Sequence, residues 1–324
     1  MKATAWAPVN IALIKYWGKR DKDLNLPYNS SISVNLSDLY TFTTVEFSKK
    51  YKQDEVLING EKKEDEVKRV IKHINRIRSL AKMNDKAKIF SKNNFPKAAG
   101  IASSASGFAG LTLAATSALN LNLSKRELSL LARLGSGSAC RSIPSGFVEW
   151  REGDNDHSFA RTIFAKDYWR IKIATIIFDN QKKEVSSSQG HLLAPTSPFF
   201  KIRLQNIKKK TADLKKAIKQ KNFIKFGEIV EQEALEMHAI MLTSKPSLIY
   251  WNDKTITMIK KIFWLRKNGL NIFFTIDAGP NIHIFYLAKD EKKLKEILNN
   301  EKIIFNYYLS RVEEGAKITN NHLF

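Results

Sequence analysis

The sequence predicts an α+β protein of two lobes. Three observations carry this reading. Strand-like segments with hairpin signals crowd the first half. Long helical patterns are grouped in the second half. The chain has 324 residues with 43% hydrophobic and 27% charged side chains, ordinary usage for a folded chain long enough for one large domain or two modest ones.

Taken in order, residues 2–13 read as a strand that runs into a Lys15-Tyr-Trp-Gly-Lys19 turn. Residues 30–36 and 40–47 alternate in polarity and are expected as a pair of strands. Residues 55–58 form a short strand ended by Asn59-Gly60, a hairpin-type signal. Val67, Val70, Ile71, Ile74, Ile77 and Leu80 recur at helical spacing, which predicts a helix over 65–84. A strand at 87–91 follows, then a small-residue loop, Asn94 to Gly107, that opens a helix of about 15 residues. Ser124 with Glu127 three positions on is a capping box, so a helix starts near 124 and runs to about 133. Strands are expected at 146–150 and 171–178, and helices at about 197–218, 222–241 and 254–268. Strands at 271–276 and 282–287 flank Asp277-Ala-Gly-Pro-Asn281, and a short helix lies near 290–299. The division between lobes is expected between 178 and 197, giving lobes of 1–180 and 181–324.

Disulfide scaffolds and collagen-like chains are excluded by one Cys and 14 Gly. The formal charge of +22 suggests a nucleic-acid partner, but the lysines are scattered, as over Lys68 to Lys92 and Lys208 to Lys221, and read as a basic solvated surface that would steer an anionic small substrate. Pro8 and Asn10 interrupt the N-terminal apolar run, which is not a signal peptide. Residues 98–124 are uncharged, but Ser and Thr are frequent there, so a packed helix is expected rather than a membrane span. A cytoplasmic protein that binds no membrane and no nucleic acid is the expectation. The six histidines, His73, His157, His191, His238, His283 and His322, lack the spacing of metal ligands, so no resident metal site is expected.

Four segments carry candidate chemistry. In Pro96 to Gly107, small residues, Gly100 and the hydroxyls of Ser103 and Ser104 precede a helix whose free N–H groups suit a polyphosphate; a close-packed helix start is the structural alternative. Gly135-Ser-Gly-Ser-Ala-Cys-Arg-Ser142 combines small donors with a guanidinium fork suited to a carboxylate or phosphate; the alternative is a surface turn. In Asp277-Ala-Gly-Pro-Asn281 a carboxylate is held at a strand end, as a base, a hydroxyl-orienting group, a metal neighbour or no more than an Asx turn. Lys15, Tyr16 and Lys19 surround Trp17 in a turn able to grip an anion, or in a basic loop around a core tryptophan. The polar Ser186-Ser-Ser-Gln-Gly190 reads equally as linker or ligand contact.

Together these segments resemble the diphosphomevalonate decarboxylase family of the GHMP kinase superfamily. The resemblance is carried by Ala7 to Asp21, Leu26 to Ser33, Asn94 to Ala105, Ser136 to Arg141 and Asp277 to Asn281, in that order along the chain. It implies a two-lobed GHMP kinase fold, with an N-terminal lobe like domain 2 of ribosomal protein S5 and a ferredoxin-like C-terminal lobe. It implies ATP and Mg2+, and a reaction in which the 3-hydroxyl of mevalonate 5-diphosphate is phosphorylated before phosphate and CO2 leave. By the same resemblance Asp277, Arg141 and Lys15 are catalytic. Asn10, Tyr16, Trp17, Gly18, Lys19, Arg69, Ser136, Gly137, Ser138, Ala139, Cys140, Ser187 and Ser188 bind substrate. Ala98, Gly100, Ala102, Ser103, Ser104 and Ser106 bind the nucleotide phosphates. A homodimer is implied as well. His191 follows Gly190 where Met is usual in the family, which leaves the shape of that loop open. The loop at about 179–195 is expected to order on substrate binding.

Two neighbouring activities share such a scaffold, a mevalonate 5-phosphate decarboxylase and a mevalonate 3-kinase. Retention of Asp277, Lys15 and Arg141 favours full decarboxylation, and Tyr16, Lys19 and Arg69 favour the diphosphate. A basic nucleic-acid-binding module is the remote alternative; it would leave the Asp277 segment and the serine-rich loop unexplained.

Overall fold

The computed structural model describes residues 1–95, 103–178 and 185–324. In chain order the first lobe contains β1 (Lys2–Ile14), β2 (Lys19–Asp21), β3 (Leu26–Pro27), β4 (Ser31–Ser48), β5 (Glu55–Ile58), α1 (Glu64–Ala81), β6 (Lys86–Asn93), α2 (Ser103–Ala118), α3 (Lys125–Gly135), β7 (Phe147–Trp150) and β8 (Ala160–Phe164). The second contains β9 (Ile171–Ile177), α4 (Ser187–Leu193), α5 (Phe200–Lys219), α6 (Phe223–Thr243), α7 (Asp253–Lys267), β10 (Phe273–Ile276), β11 (Ile282–Leu287), α8 (Glu291–Asn299) and β12 (Asn306–Arg311). The last strand, β13 (Lys317–Thr319), returns to pair with β1.

The larger sheet has the order β13-β1-β4-β6-β5, with β7 on β4 and β8 on β7; the smaller has the order β10-β11-β9-β12. Membership of these sheets divides the chain before Ile171, so the division expected at 180 leaves one strand of the second sheet on the wrong side, and β13 crosses back. The segments 30–36 and 40–47 are not partners. They are two halves of β4, both laid against β1, with a register shift opposite Pro8 and Asn10. Ser37 and Asp38 turn outward there while Leu36 and Leu39 stay buried, a bulge that bends the strand rather than reversing it.

The uncharged α2 is buried on almost every side between the first sheet and its neighbouring helices, which accounts for a composition without charge. Among the described residues no helix is long and apolar enough to cross a membrane. α3 begins with the expected capping box at Ser124 and Glu127. The second half of β1 matters most for the site. Val9, Ile11, Leu13 and Ile14 share one core with Ile173, Ile207, Phe226, Phe273 and Phe285 of the second lobe. Trp17 then inserts among Phe200, Met237, Ile240 and Ala278. The segment leaving β1 is therefore fixed by apolar burial from both lobes before any polar contact is counted.

Candidate active site

β1 delivers Asn10 and ends one residue before Lys15. The β10–β11 turn delivers Asp277 from the other lobe, braced by a bond from His238 Nε2 to the Asp277 carbonyl (3.1 Å) and from Gly279 N–H to the same oxygen (2.8 Å). Lys15 Nζ donates to Asp277 Oδ1 at 2.6 Å; the lysine side chain is 1% exposed and the aspartate 29%. Burial holds Lys15 below the usual lysine range, with Asp277 and Glu233 pulling the other way. Burial also pushes the Asp277 carboxyl up, but Lys15, His283 and Arg141 outweigh it and hold the group below the ordinary aspartate value. Asp277 is thus an ionised acceptor, with an ammonium on one oxygen and part of its surface open.

Arg141 lies in a buried 3-10 turn, Gly137–Ser142. Its Nε donates to Asn10 Oδ1 (3.1 Å) and its Nη1 to Ser31 Oγ (2.7 Å), both neutral acceptors, and the guanidinium lies 5.8 Å from the Trp150 ring centre. Among the described residues no carboxylate is within ion-pair distance of it. A guanidinium buried without an anion is costly unless an anion is meant to arrive. Asn10 is spent on holding this group: its Nδ2 donates to the Ser138 carbonyl (3.0 Å) and to Ser142 Oγ (2.8 Å). It orients Arg141 rather than offering a free donor.

The turn after Lys15 packs on close approaches. Gly18 has φ +102°, a left-handed conformation that a side chain resists. A Cβ on Gly137 would lie 2.8 Å from Tyr16 Oη, and one on Gly190 would lie 2.6 Å from the Trp17 ring. These two glycines let the Tyr16 and Trp17 rings seat on successive residues. Tyr16 Oη, Trp17 Nε1 and Tyr250 Oη are buried without a hydrogen-bond partner among the described residues. Gly18 N–H donates to His191 Nδ1 at 3.0 Å, and the His191 ring lies 4.2 Å from Tyr16 and 4.6 Å from Trp17. Burial, then Lys19 and Arg141, keep His191 well below the ordinary histidine value, so the ring is neutral with its proton on Nε2. His191 thereby pins α4 onto the turn. Within the expected loop, Ser187 and Ser188 are the first residues of that helix, capped by Ser186, and residues 179–184 lie outside the described residues.

A second cluster forms a rim. Lys19 is held down to about 8 by burial and by the nearby positive charge of Arg69. Arg69, on α1, packs over Phe108 at 5.1 Å and lines a cavity with Ser103, Ser104 and Asn93. Ser136 Oγ donates to Ser104 Oγ at 3.4 Å, which ties the 3-10 turn to the head of α2. Ala98, Gly100 and Ala102 lie outside the described residues. Three expected contacts face elsewhere. Ser106 is fully buried with its hydroxyl 2.6 Å from Thr41 Oγ1. The Ala139 side chain belongs to the first-lobe core. Cys140 packs with Tyr16, Val148, Trp150 and Ala160, and burial pushes its thiol up to about 12. In each case the short side chain is buried in the protein interior, Ser106 against β4 and Ala139 and Cys140 behind the turn, so only backbone reaches a ligand there.

Sequence reasoning missed Arg203, Glu233, Ser31 and Asn29. Arg203 Nη2 and Asn29 Nδ2 donate to the Lys15 carbonyl at 3.0 and 3.1 Å, and Lys15 N–H donates to Glu233 Oε1 at 3.2 Å. A signal was present. Arg203 sits between Phe200 and Ile207, and Glu233 beside Val230, Ala234 and Met237, so each is a charge on an apolar helical stripe.

Comparison with known proteins gives a consistent result. Residues 7–160 match the family model described as the diphosphomevalonate decarboxylase-like N-terminal domain, and residues 173–320 match the mevalonate 5-diphosphate decarboxylase C-terminal domain. The diphosphomevalonate decarboxylase of Debaryomyces hansenii is 39% identical over 98% of this chain and 85% of its own. The mevalonate diphosphate decarboxylase from Enterococcus faecalis, in a structure addressing mevalonate diphosphate mediated ATP binding, superimposes with a TM-score of 0.92 at 38% identity over 98% of this chain and 99% of its own. MDDEF in complex with MVAPP, AMPPCP and magnesium gives 0.93 at 38% identity, over 98% and 99% of the two chains.

Proposed function

We propose that this chain, which belongs to the diphosphomevalonate decarboxylase family and has its GHMP kinase fold, converts mevalonate 5-diphosphate to isopentenyl diphosphate and CO2, consuming ATP with Mg2+. When bound, MgATP supplies the phosphoryl group that turns the 3-hydroxyl into a leaving group. The hydroxyls of Ser103 and Ser104, at the head of α2 and lining the rim cavity, form a donor set that fits its phosphates.

The remaining roles belong to the chain's own groups. Asp277, ionised and partly open, orients the 3-hydroxyl and takes its proton. Lys15 keeps Asp277 ionised and offsets negative charge gathering at the reacting oxygen. Arg141 receives the substrate carboxylate, having only neutral acceptors, Asn10 and Ser31, among the described residues. In the second step the C3–O bond breaks with its electron pair leaving on phosphate. The bond from C2 to the carboxylate carbon breaks, its pair becomes the new double bond, and CO2 departs. The Tyr16, Trp17 and Trp150 rings wall this centre from water, which protects a carbocation-like C3. Lys19, Arg69 and Tyr16 hold the 5-diphosphate.

The observation that carries the reading is the meeting of the Lys15–Asp277 pair, at the seam of the lobes, with a buried Arg141 that has no carboxylate within ion-pair distance among the described residues. The test is a product assay with MgATP and each of mevalonate 5-diphosphate, its 5-monophosphate and mevalonate. CO2 and isopentenyl diphosphate from the diphosphate alone, with one ADP per CO2, are expected. ADP without CO2, or turnover of the monophosphate only, overturns it. We extend the reading to a cytoplasmic homodimer, as the resemblance implies; sedimentation velocity at assay concentration reads the oligomer.

A further inference from the structure

Resting on the decarboxylase reading above, we propose that Glu233 and Arg203 are positioning residues for the reaction. They clamp the Lys15 peptide on both polar sides, and Glu233 sets the field in which the Lys15 ammonium works. β1 stops pairing at Ile14, so the Lys15 peptide has left the ladder and must be satisfied elsewhere. The second lobe supplies the partners. Lys15 N–H donates to Glu233 Oε1 at 3.2 Å, and Arg203 Nη2 donates to the Lys15 carbonyl at 3.0 Å while also bonding Glu233 Oε1. The Glu233 side chain is 0% exposed and that of Arg203 2%. On the solvent side Lys210 Nζ lies 3.4 Å from Glu233 Oε2 and also pairs with Glu236.

Packing alone does not call for this arrangement. A buried ion pair costs desolvation that a hydrophobic pair of similar volume avoids. A neutral amide could also satisfy a peptide N–H. The charge matters because of what it faces. Lys15 is approached by Asp277 from the β10–β11 turn, Glu233 and His238 from α6, Arg203 from α5, Arg141 from the 3-10 turn and His283 from β11. Asp277 and Glu233 are the two anions in that set, and Glu233 is the one turned away from the substrate side. Removing its charge weakens the hold on the Lys15 proton. Removing Lys210 unmasks Glu233 and strengthens it. The two substitutions therefore push the same titration in opposite directions, which a structural role does not do.

The experiment compares wild type, Glu233→Gln, Lys210→Met and the packing control Ile229→Val. It reads the basic limb of kcat against pH, the KM values, the melting temperature, and the Lys15 titration directly by NMR on protein with carbon-13-labelled lysine, the signal being assigned by its loss in Lys15→Arg. Expected for Glu233→Gln is a fall of the basic limb and of the Lys15 titration by about half a pH unit or more, with both KM values within about twofold. Lys210→Met moves both upward. Ile229→Val lowers the melting temperature and moves neither. An unmoved Lys15 titration in Glu233→Gln and Lys210→Met overturns the inference. If Glu233→Gln does not fold, the upward shift in Lys210→Met decides alone. Absence of turnover in wild type would sink the functional reading and leave the NMR titration to judge the clamp.

Discussion

The centre at Lys15, Asp277 and Arg141 and the rim at Lys19, Arg69, Ser103 and Ser104 are built in opposite ways. At the centre the Lys15 peptide, Lys15 Nζ, Asp277 Oδ1 and Arg141 Nε and Nη1 each have a protein partner, and the groups come from both lobes. At the rim Lys19 and Arg69 repel one another; among the described residues no carboxylate acts on Lys19, and Glu66 lies near Arg69. The charged groups of the centre are fixed in place by protein bonds, and the Lys19 and Arg69 cations of the rim are less constrained. A charge fixed in place by protein bonds before binding, as Arg141 is by Asn10 and Ser31, can act on the transition state, whereas a cation without such bonds contributes chiefly to holding substrate. The centre should therefore govern kcat and the rim KM.

The largest test of that contrast is Asp277→Asn. It removes the base while keeping an acceptor for Lys15. A loss in kcat of about 10³-fold or more is expected with ATP affinity retained, read by the product assay and by calorimetry with the nucleotide. A variant keeping a tenth of wild-type turnover would remove Asp277 from the chemistry. Arg141→Lys comes next. An ammonium cannot serve Asn10 Oδ1, Ser31 Oγ and an incoming carboxylate as the fork does, so kcat should fall about 10- to 100-fold. A change confined to KM would move Arg141 from the centre to the rim.

Lys19 tests the other side. Lys19→Met should raise KM for the diphosphate about tenfold with kcat nearly kept, the worth of one charge-assisted contact. The pH dependence has a fixed sign. With the group held down to about 8 by burial and by Arg69, its charge is complete well below pH 8 and is lost as pH rises through it. KM should therefore climb above pH 8 in wild type. It should stay flat there in Lys19→Arg, because arginine does not titrate in that range. A wild-type KM constant from pH 7 to 9.5 would show that Lys19 does not meet the diphosphate.

The same contrast explains what was legible in the sequence. Asp277-Ala-Gly-Pro-Asn281, the Lys15 turn and Arg141 read as chemistry because small residues and fixed turns surround charged ones. The helices of the second half read well, since α5, α6 and α7 carry an apolar stripe or an N-cap such as Asn222 and Asn252. The short strands β8, β12 and β13 were not foreseen: β12 and β13 gain their partners from distant segments, β8 has only the preceding β7 as a partner, and the periodicity of all three is weak. The bulge at Ser37-Asp38 imitated a turn between two strands. Glu233 and Arg203 escaped because a charge on a helix is ordinarily read as solvated. Only tertiary packing shows that the stripe on which each sits is buried and meets Lys15.

The smallest expected effect lies just behind the centre. Cys140 is adjacent to Arg141 in sequence and was expected to touch substrate, yet its side chain is wholly buried among Tyr16, Val148 and Trp150. A thiol pushed up to about 12 has almost no thiolate at neutral pH, so it should resist alkylation in the folded enzyme. Cys140→Ala should leave kcat and KM within about twofold and cost about 1 kcal/mol of stability through the small cavity beside Tyr16. Labelling with iodoacetamide and a denaturant melt check both. Rapid labelling that abolishes activity and is blocked by mevalonate 5-diphosphate would mean that the wall behind Arg141 opens to substrate. The division between centre and rim would then have to be redrawn one residue deeper.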